Sequence, residues 1–170
     1  MLRYRGGEPQ VFDILYSRHK GPLFRYFVRQ CGDRATAEEL FQDVWMKLIR
    51  ARATYEVEAK FTTYLYTLAH NRLMDFFRRK RIVFVDGVEL ENIAEHTLKL
   101  PEDLAALREQ VARLLRLLET LPAPQRETFL LSEEAGLDIE EIAAVTGVKK
   151  EAAKSRLRYA IKKLREGLRE

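Results

Sequence analysis

Residues 138–165 read DIEEIAAVTGVKKEAAKSRLRYAIKKLR, and this stretch decides the fold. Asp138 precedes an apolar series, Ile139, Ile142 and Ala143, and Glu141 follows three residues on. That is a capping-box helix start with Asp in the capping position. The short helix ends at Gly147, a residue type that tolerates a tight turn. A second helix follows, with a buried stripe of Ala153, Leu157, Ala160 and Leu164. Steps of four, three and four keep these side chains on one face. The other faces carry Lys149, Lys150, Lys154, Arg156, Arg158, Lys162, Lys163 and Arg165, against Glu151 alone. A short capped helix, a glycine turn and a basic helix make a helix-turn-helix. The second helix has the shape to enter a DNA major groove, with its cations meeting phosphates.

A solvated amphipathic helix would also carry lysines, and that accounts for Lys162 and Lys163. It does not account for the change of sign. From Pro101 to Val148 ten acidic residues face four arginines, and the balance reverses at the glycine turn. Charge, turn and spacing together point to duplex DNA.

The chain has 170 residues, 46% hydrophobic and 33% charged, with a formal net charge of +4. That length suits one ordinary domain or two small ones. No apolar run approaches the ~20 residues of a membrane span, so no membrane insertion is expected. The N-terminus lacks the pattern of a secretory signal. Cys31 is the only cysteine, which excludes an internal disulfide and a thiolate zinc site. A cytoplasmic protein is expected.

Pro9 opens a helix burying Val11, Phe12, Leu15 and Tyr16, and Gly21-Pro22 is expected to interrupt or kink it. A second helix uses Leu23, Phe24, Phe27 and Val28 and ends near Cys31-Gly32. Thr36, with Glu39 three residues later, predicts the next helix start. Its apolar face is Leu40, Phe41, Val44, Trp45, Leu48 and Ile49. Arg52 to Lys60 reads as a loop. Phe61 to about Arg81 reads as a long helix with Leu65, Leu68, Ala69, Leu73 and Phe76 inward. Val83-Phe84-Val85 has the composition for a brief strand, but Asp86-Gly87 interrupts it. Residues 86–100 are acidic without a helical period and read as a linker. Leu104, Leu107, Val111, Leu114, Leu118 and Leu121 form a core helix of a second domain, stopped by Pro122 and Pro124. Gln125 to Ala135 makes one more helix, with Phe129 and Leu130 inward and Gly136 as its cap. The expected fold class is all-α: two small helical domains, residues 1–85 and 101–170, joined by the acidic linker.

The first domain carries Arg72 and the run Arg78-Arg79-Lys80-Arg81, interleaved with Tyr64, Tyr66 and Phe77. Aromatic faces beside cations suit unstacked bases, at ~1–3 kcal/mol per stacked base. A well-packed helix with a solvated basic end is the plain alternative. A single-strand surface in one domain and a duplex reader in the other, flexibly tethered, would hold two separated sites on one DNA.

The residues resemble those of the bacterial extracytoplasmic-function (group 4) sigma factors over nearly the whole chain. Ala37-Glu38-Glu39-Leu40-Phe41-Gln42-Asp43-Val44 is similar to that family's core-polymerase helix. Phe61-Thr62-Thr63-Tyr64-Leu65-Tyr66-Thr67-Leu68-Ala69-His70-Asn71 is similar to its promoter-melting segment. Leu121-Pro122 through Gln125-Arg126, Gly136-Leu137-Asp138-Ile139-Glu140-Glu141-Ile142-Ala143, and Lys154-Ser155-Arg156-Leu157 resemble its C-terminal domain. Five such segments in order are specific where each alone is not.

The resemblance implies an alternative sigma factor that binds core RNA polymerase and directs initiation. Glu38, Glu39, Gln42 and Asp43 would contact the β′ clamp coiled coil, and the C-terminal domain would meet the β flap. Acids in a first helical turn also stabilise the helix dipole by about 0.3–1 kcal/mol, so Asp43, lying further along, is the more telling residue. Tyr64, Tyr66, Asn71, Arg72, Arg78 and Arg79 would engage the downstream promoter element as a single strand. That element lies about 10 base pairs before the start, and taking a base out of its stack costs a few kcal/mol. Asn71 offers a base edge both a donor and an acceptor. Lys149, Lys150, Lys154, Ser155, Arg156 and Arg158 would read the upstream element, about 35 base pairs before the start, with Arg suited to guanine. Tyr159-Ala160-Ile161 stands where many members carry Arg-Ala-Arg, and Tyr64 stands where Trp is usual. An anti-sigma factor is implied as a further partner.

Two other readings compete. His19, His70, His96, Asp75 and Cys31 share no triad or metal-ligand spacing, so neither an enzyme nor a metal or other cofactor is expected. A stand-alone helix-turn-helix regulator would bind duplex DNA tightly without polymerase.

Overall fold

The computed structural model describes residues 1–84 and 105–169. The proposed linker, residues 86–100, lies outside the described residues, as do Val85 and Leu104. Among the described residues there are eight α-helices and no strand: α1 Leu2–Arg5, α2 Gln10–Cys31, α3 Arg34–Arg50, α4 Phe61–Phe84, α5 Ala105–Glu119, α6 Ala123–Glu133, α7 Ile139–Thr146 and α8 Lys150–Arg169. The all-α expectation holds.

Pro22 does not interrupt its helix; α2 runs continuously through it. A proline in a helix interior costs about 3 kcal/mol. The residues just after it, Leu23, Tyr26 and Phe27, are fully buried, and such side chains return about 1.5–3 kcal/mol each. Burial therefore outweighs the break. α2 ends at Gly32, and α3 begins two residues later than Gly32 rather than at Thr36. Its cap is Asp33, whose Oδ2 accepts from the Thr36 backbone N–H at 2.8 Å. Thr36 is the capped residue, not the capping one. α4 extends through Phe84, so Val83 and Phe84 lie in a helix rather than a strand.

The α7 start follows the sequence. Asp138 Oδ1 accepts from the Glu141 N–H at 2.9 Å, and Glu141 Oε2 accepts from the Asp138 N–H at 3.0 Å. Asp138→Ala should lower stability by about 1 kcal/mol. Chemical denaturation would read it, and a change below a few tenths would mean that the cap contributes nothing. The turn into α8 passes through Gly147 at φ 68°, a left-handed conformation that other L-residues adopt at a cost. The α8 stripe buries Ala153, Ala160 and Leu164, and Leu157 is half-buried. The leucine helix α5 packs on α8 through Leu118, with Leu121 beyond its end, while Leu107 remains exposed.

The halves do not stand apart. One continuous core holds Tyr26, Phe27, Leu65, Tyr66 and Leu73 of the N-terminal half with Leu130, Leu131, Ile142 and Ala153 of the C-terminal half. α6 lies on α2, and α7 lies on α4. The two helical domains expected from the sequence are both present, and among the described residues they are in contact.

Candidate functional site

α3 and α4 present the residues of the first group. The amphipathic pattern of α3 turns Leu40, Val44, Trp45 and Leu48 inward, leaving Glu38, Glu39, Gln42 and Asp43 exposed on the other side. Glu38 is held by Arg34 one turn earlier, at 2.8 Å. Glu39 and Asp43 share a different partner. Arg72 of α4 donates through Nε to Asp43 Oδ2 at 2.7 Å and through an Nη to Glu39 Oε1 at 3.1 Å. Arg72 is only 20% exposed against 68% for Glu39 and 47% for Asp43. The guanidinium is therefore committed to the acids, which still face outward. Two residue sets read separately in the sequence form one cluster.

Asn71 is exposed beside it. Arg78 and Arg79 lie further along the same helix, both exposed, with Arg78 paired to Asp75. Tyr64 is half-buried, its ring 5.0 Å from that of Tyr55 and nearly perpendicular to it. Tyr55 is buried and pins the loop before α4, and Arg5 donates to its carbonyl at 2.8 Å. Burial raises the Tyr55 and Tyr64 phenol pKa values. Tyr66 departs from expectation: it is 1% exposed, under the C-terminal half, and cannot meet a base in this arrangement.

The basic helix carries the second group. Lys149, Lys154 and Arg158 are exposed; Ser155 and Arg156 are half-buried. Lys150 is exposed and paired with Glu140 across the turn, which raises its ammonium pKa. Tyr159, at the position that departs from the family pattern, is 52% exposed with Arg158 over its ring at 5.3 Å. A shallow groove of about 640 Å³ runs beside this helix, floored by Ile139, Leu157 and Ile161 and rimmed by Lys154, Arg158 and Lys162.

Between the two groups lies a contact the sequence reading missed. Glu127 Oε1 accepts from the Tyr26 hydroxyl at 2.7 Å and lies 2.7 Å from His70 Nδ1. Burial, then Glu127, holds the Tyr26 phenol well above its ordinary pKa. Glu134 takes Arg25 at 2.8 Å and is also paired with Arg29. Glu141 takes Lys60 at 3.0 Å and accepts from the Thr63 hydroxyl at 3.2 Å. Its carboxyl pKa is lowered, first by the Asp138 N–H and then by these two groups. The signal was available: Glu127, Glu134 and Glu141 recur every seventh residue.

Burial raises the Cys31 thiol pKa to about 12. No group of three or more potential metal ligands occurs among the described residues. No helix among them is long and apolar enough to cross a membrane.

Residues 15–82 match the family model for sigma-70 region 2, and residues 112–164 match that for sigma-70 region 4. The RNA polymerase sigma factor CarQ of Myxococcus xanthus is 34% identical over 172 aligned residues, covering 100% of this chain and 96% of that protein. The chain belongs to the extracytoplasmic-function sigma factors. The sigma-E factor of Escherichia coli strain K12 is 29% identical, over 84% of this chain and 78% of its own. Among solved structures, the sigma factor RpoE in complex with the anti-sigma factor NepR from Bartonella quintana aligns with a TM-score of 0.77 and 25% identity, covering 94% of this chain and 98% of that one. As a sigma factor the chain directs transcription initiation by RNA polymerase. The helix-turn-helix is its region 4, and the α3–α4 cluster falls in its region 2.

Proposed function

We propose the following division of roles within this sigma factor. Residues 1–85 form the module that docks on core polymerase and opens the downstream promoter element. Residues 101–170 form the module that reads the upstream element, and residues 86–100 join them. Glu39 and Asp43, with Gln42 and more weakly Glu38, are the contacts to the β′ clamp coiled coil. Tyr64, Asn71, Arg72, Arg78 and Arg79 handle the opened strand. Lys149, Lys150, Lys154, Ser155, Arg156 and Arg158 meet the upstream duplex, and the same module meets the β flap. The chain works in the cytoplasm and carries no catalysis of its own; bond formation belongs to the polymerase.

The observation that carries this reading is the segregation of charge. Glu38, Glu39 and Asp43 are exposed together in the middle of α3, with Arg34, Lys47 and Arg50 towards its ends, and exposed cations dominate α8 behind a left-handed glycine turn. An acidic surface suits a basic protein partner, and a capped helix-turn-helix with a basic second helix suits a major groove. An anti-sigma factor is part of the proposal, since the Bartonella relative is held by one.

Co-migration of the pure chain with core polymerase, followed by mapping of transcript starts on genomic DNA, tests the reading. Failure to co-migrate would overturn it. Within the upstream module, Arg156→Ala should cost about 1–3 kcal/mol and relax specificity at one base pair. Lys154→Ala should weaken all sites alike and reduce the salt slope by about one. Holoenzyme binding to promoter variants across a salt series separates the two. Equal behaviour of both variants would remove the assignment of base contact to Arg156.

A further inference from the structure

Helix α8 turns one line of residues away from the body of the chain. Its buried stripe is Ala153, Ala160 and Leu164, with Leu157 half-buried. At about 100° per residue, Ser155 lies almost opposite that stripe. From Lys150 to Lys162, the line through Ser155 carries Glu151, Ala152, Ser155, Arg158, Tyr159 and Lys162. Glu166 follows one turn later, 3.8 Å from Lys162. Tyr159 is the one aromatic residue of α8, and it is 52% exposed. Single exposed aromatic residues are common and need no special account. The setting of this one sets it apart. Neighbouring residues on a helix do not ordinarily face each other. Yet the Arg158 guanidinium stands over the Tyr159 ring, 5.3 Å from its centroid. Arg158 lies about 60° to one side of the Ser155 line, and Tyr159 about 40° to the other. Their contact therefore brings ring and guanidinium over the middle of the outward face. Helical side chains also lean toward the N-terminus, so the pair covers the turn of Ser155. Ser155 is accordingly half-buried, although its position is opposite the core stripe.

We propose that Tyr159 reads the C5-methyl group of a thymine in the upstream element, which makes it a specificity-determining residue of that module. The inference rests on the proposed entry of α8 into the major groove. Lysine, arginine and serine side chains there meet phosphates and the polar edges of bases. A phenol ring offers one hydroxyl and a broad apolar surface. The thymine methyl is the apolar group that base edges display in the major groove. Ring and methyl leave water together when they meet, and no hydrogen bond is lost in doing so. The guanidinium of Arg158 takes one face of the ring, which leaves the other face and the edge to the base. The stack also restricts both side chains before DNA arrives, which lowers the ordering cost of binding. Arg158 keeps its N–H donors around the rim of the guanidinium plane, where they suit a phosphate or a guanine beside that thymine.

The experiment uses holoenzyme made from the full chain and core polymerase, on a promoter fragment whose transcript start has been mapped. Each thymine of the upstream element, on either strand, is replaced singly by deoxyuridine, which removes the methyl group and nothing else. At one position the parent should lose about fourfold in affinity, equivalent to ~0.8 kcal/mol for one buried carbon. Tyr159→Ala should bind the unmodified fragment at least about fourfold more weakly, with no further loss from deoxyuridine at that position. Tyr159→Phe should keep the whole deoxyuridine effect, because the ring and not the hydroxyl makes the contact. Tyr159 is an exposed position, so both variants should fold, and circular dichroism checks this. A parent without any sensitive position would overturn the inference. So would equal sensitivity in Tyr159→Ala, or its loss in Tyr159→Phe. The reading of α8 is tested apart, by Arg156→Ala and Lys154→Ala. If these two lose affinity while deoxyuridine changes nothing, α8 still enters the groove and Tyr159 is not a base contact. If they bind as the parent does, the reading of α8 falls and the inference with it.

Discussion

Glu127→Ala should destabilise the chain by about 3 kcal/mol, the largest effect expected of any single surface-to-surface contact here. The substitution removes the acceptor of a hydroxyl that sits on a fully buried ring, and it removes the group facing His70. Each buried polar group left without a partner costs about 1–3 kcal/mol, and bonds to a charged acceptor lie at the upper end. Glu127→Gln keeps an acceptor for Tyr26 and should cost about 1 kcal/mol, since it loses only the charge-assisted part. Urea unfolding followed by circular dichroism measures both. A loss below about 0.5 kcal/mol for the alanine variant would mean that water already reaches Tyr26, and that the halves are not closed in solution. The ordering matters as much as the size: a cavity effect alone would not distinguish a carboxylate from its amide.

Asp43→Ala should weaken association with core polymerase by about ten- to a hundredfold, or roughly 1.5–3 kcal/mol, the lower part of the range measured for close charge pairs across interfaces. Its effect on the free chain should be small, because the pair with Arg72 is partly solvated and such pairs contribute about 0–1 kcal/mol. Arg72→Ala is the informative companion. If Asp43 acts by touching the polymerase, Arg72→Ala leaves binding within a few-fold of the parent. If Asp43 acts only by bracing α4, the two variants lose binding equally, and the assignment of Asp43 as a contact fails. Glu38→Ala should have the smallest effect of the acidic group, since Glu38 already has Arg34 one turn away. Native-gel competition for core polymerase would rank all three.

The helix-turn-helix was legible because every determinant in it is local. The Asp138–Glu141 box, the Gly147 turn and the four-three-four stripe each involve residues within one turn of one another. They appear in the structure as the spacing predicts. The α3 start shows the limit of such reasoning. Two residues three apart, Asp33 and Thr36, both have capping side chains, and the choice fell to Asp33, the residue directly following the glycine that ends α2. Pro22 shows a different limit, since a local penalty was outweighed by burial contributed by distant helices. Tyr66 shows the deepest. Its neighbours in sequence suggest an exposed ring, whereas it packs edge-on against Tyr26 of α2, 5.5 Å away, in a core that also takes residues from α6 and α7. Glu127, Glu134 and Glu141 were read as part of an acidic background that made α8 look basic by contrast. Their partners across the contact lie 57 to 109 residues away in the chain, beyond what a pattern of period three or four can report.

Cys31 has a practical side. Burial pushes its pKa up to about 12, which suppresses the thiolate that alkylating dyes require. A cysteine newly placed on an exposed turn would ionise normally and react faster than Cys31. The wild-type background therefore accepts site-directed spin labels or fluorophores on either half without first being made cysteine-free, and sluggish modification of Cys31 itself becomes a gauge of how often its surroundings part.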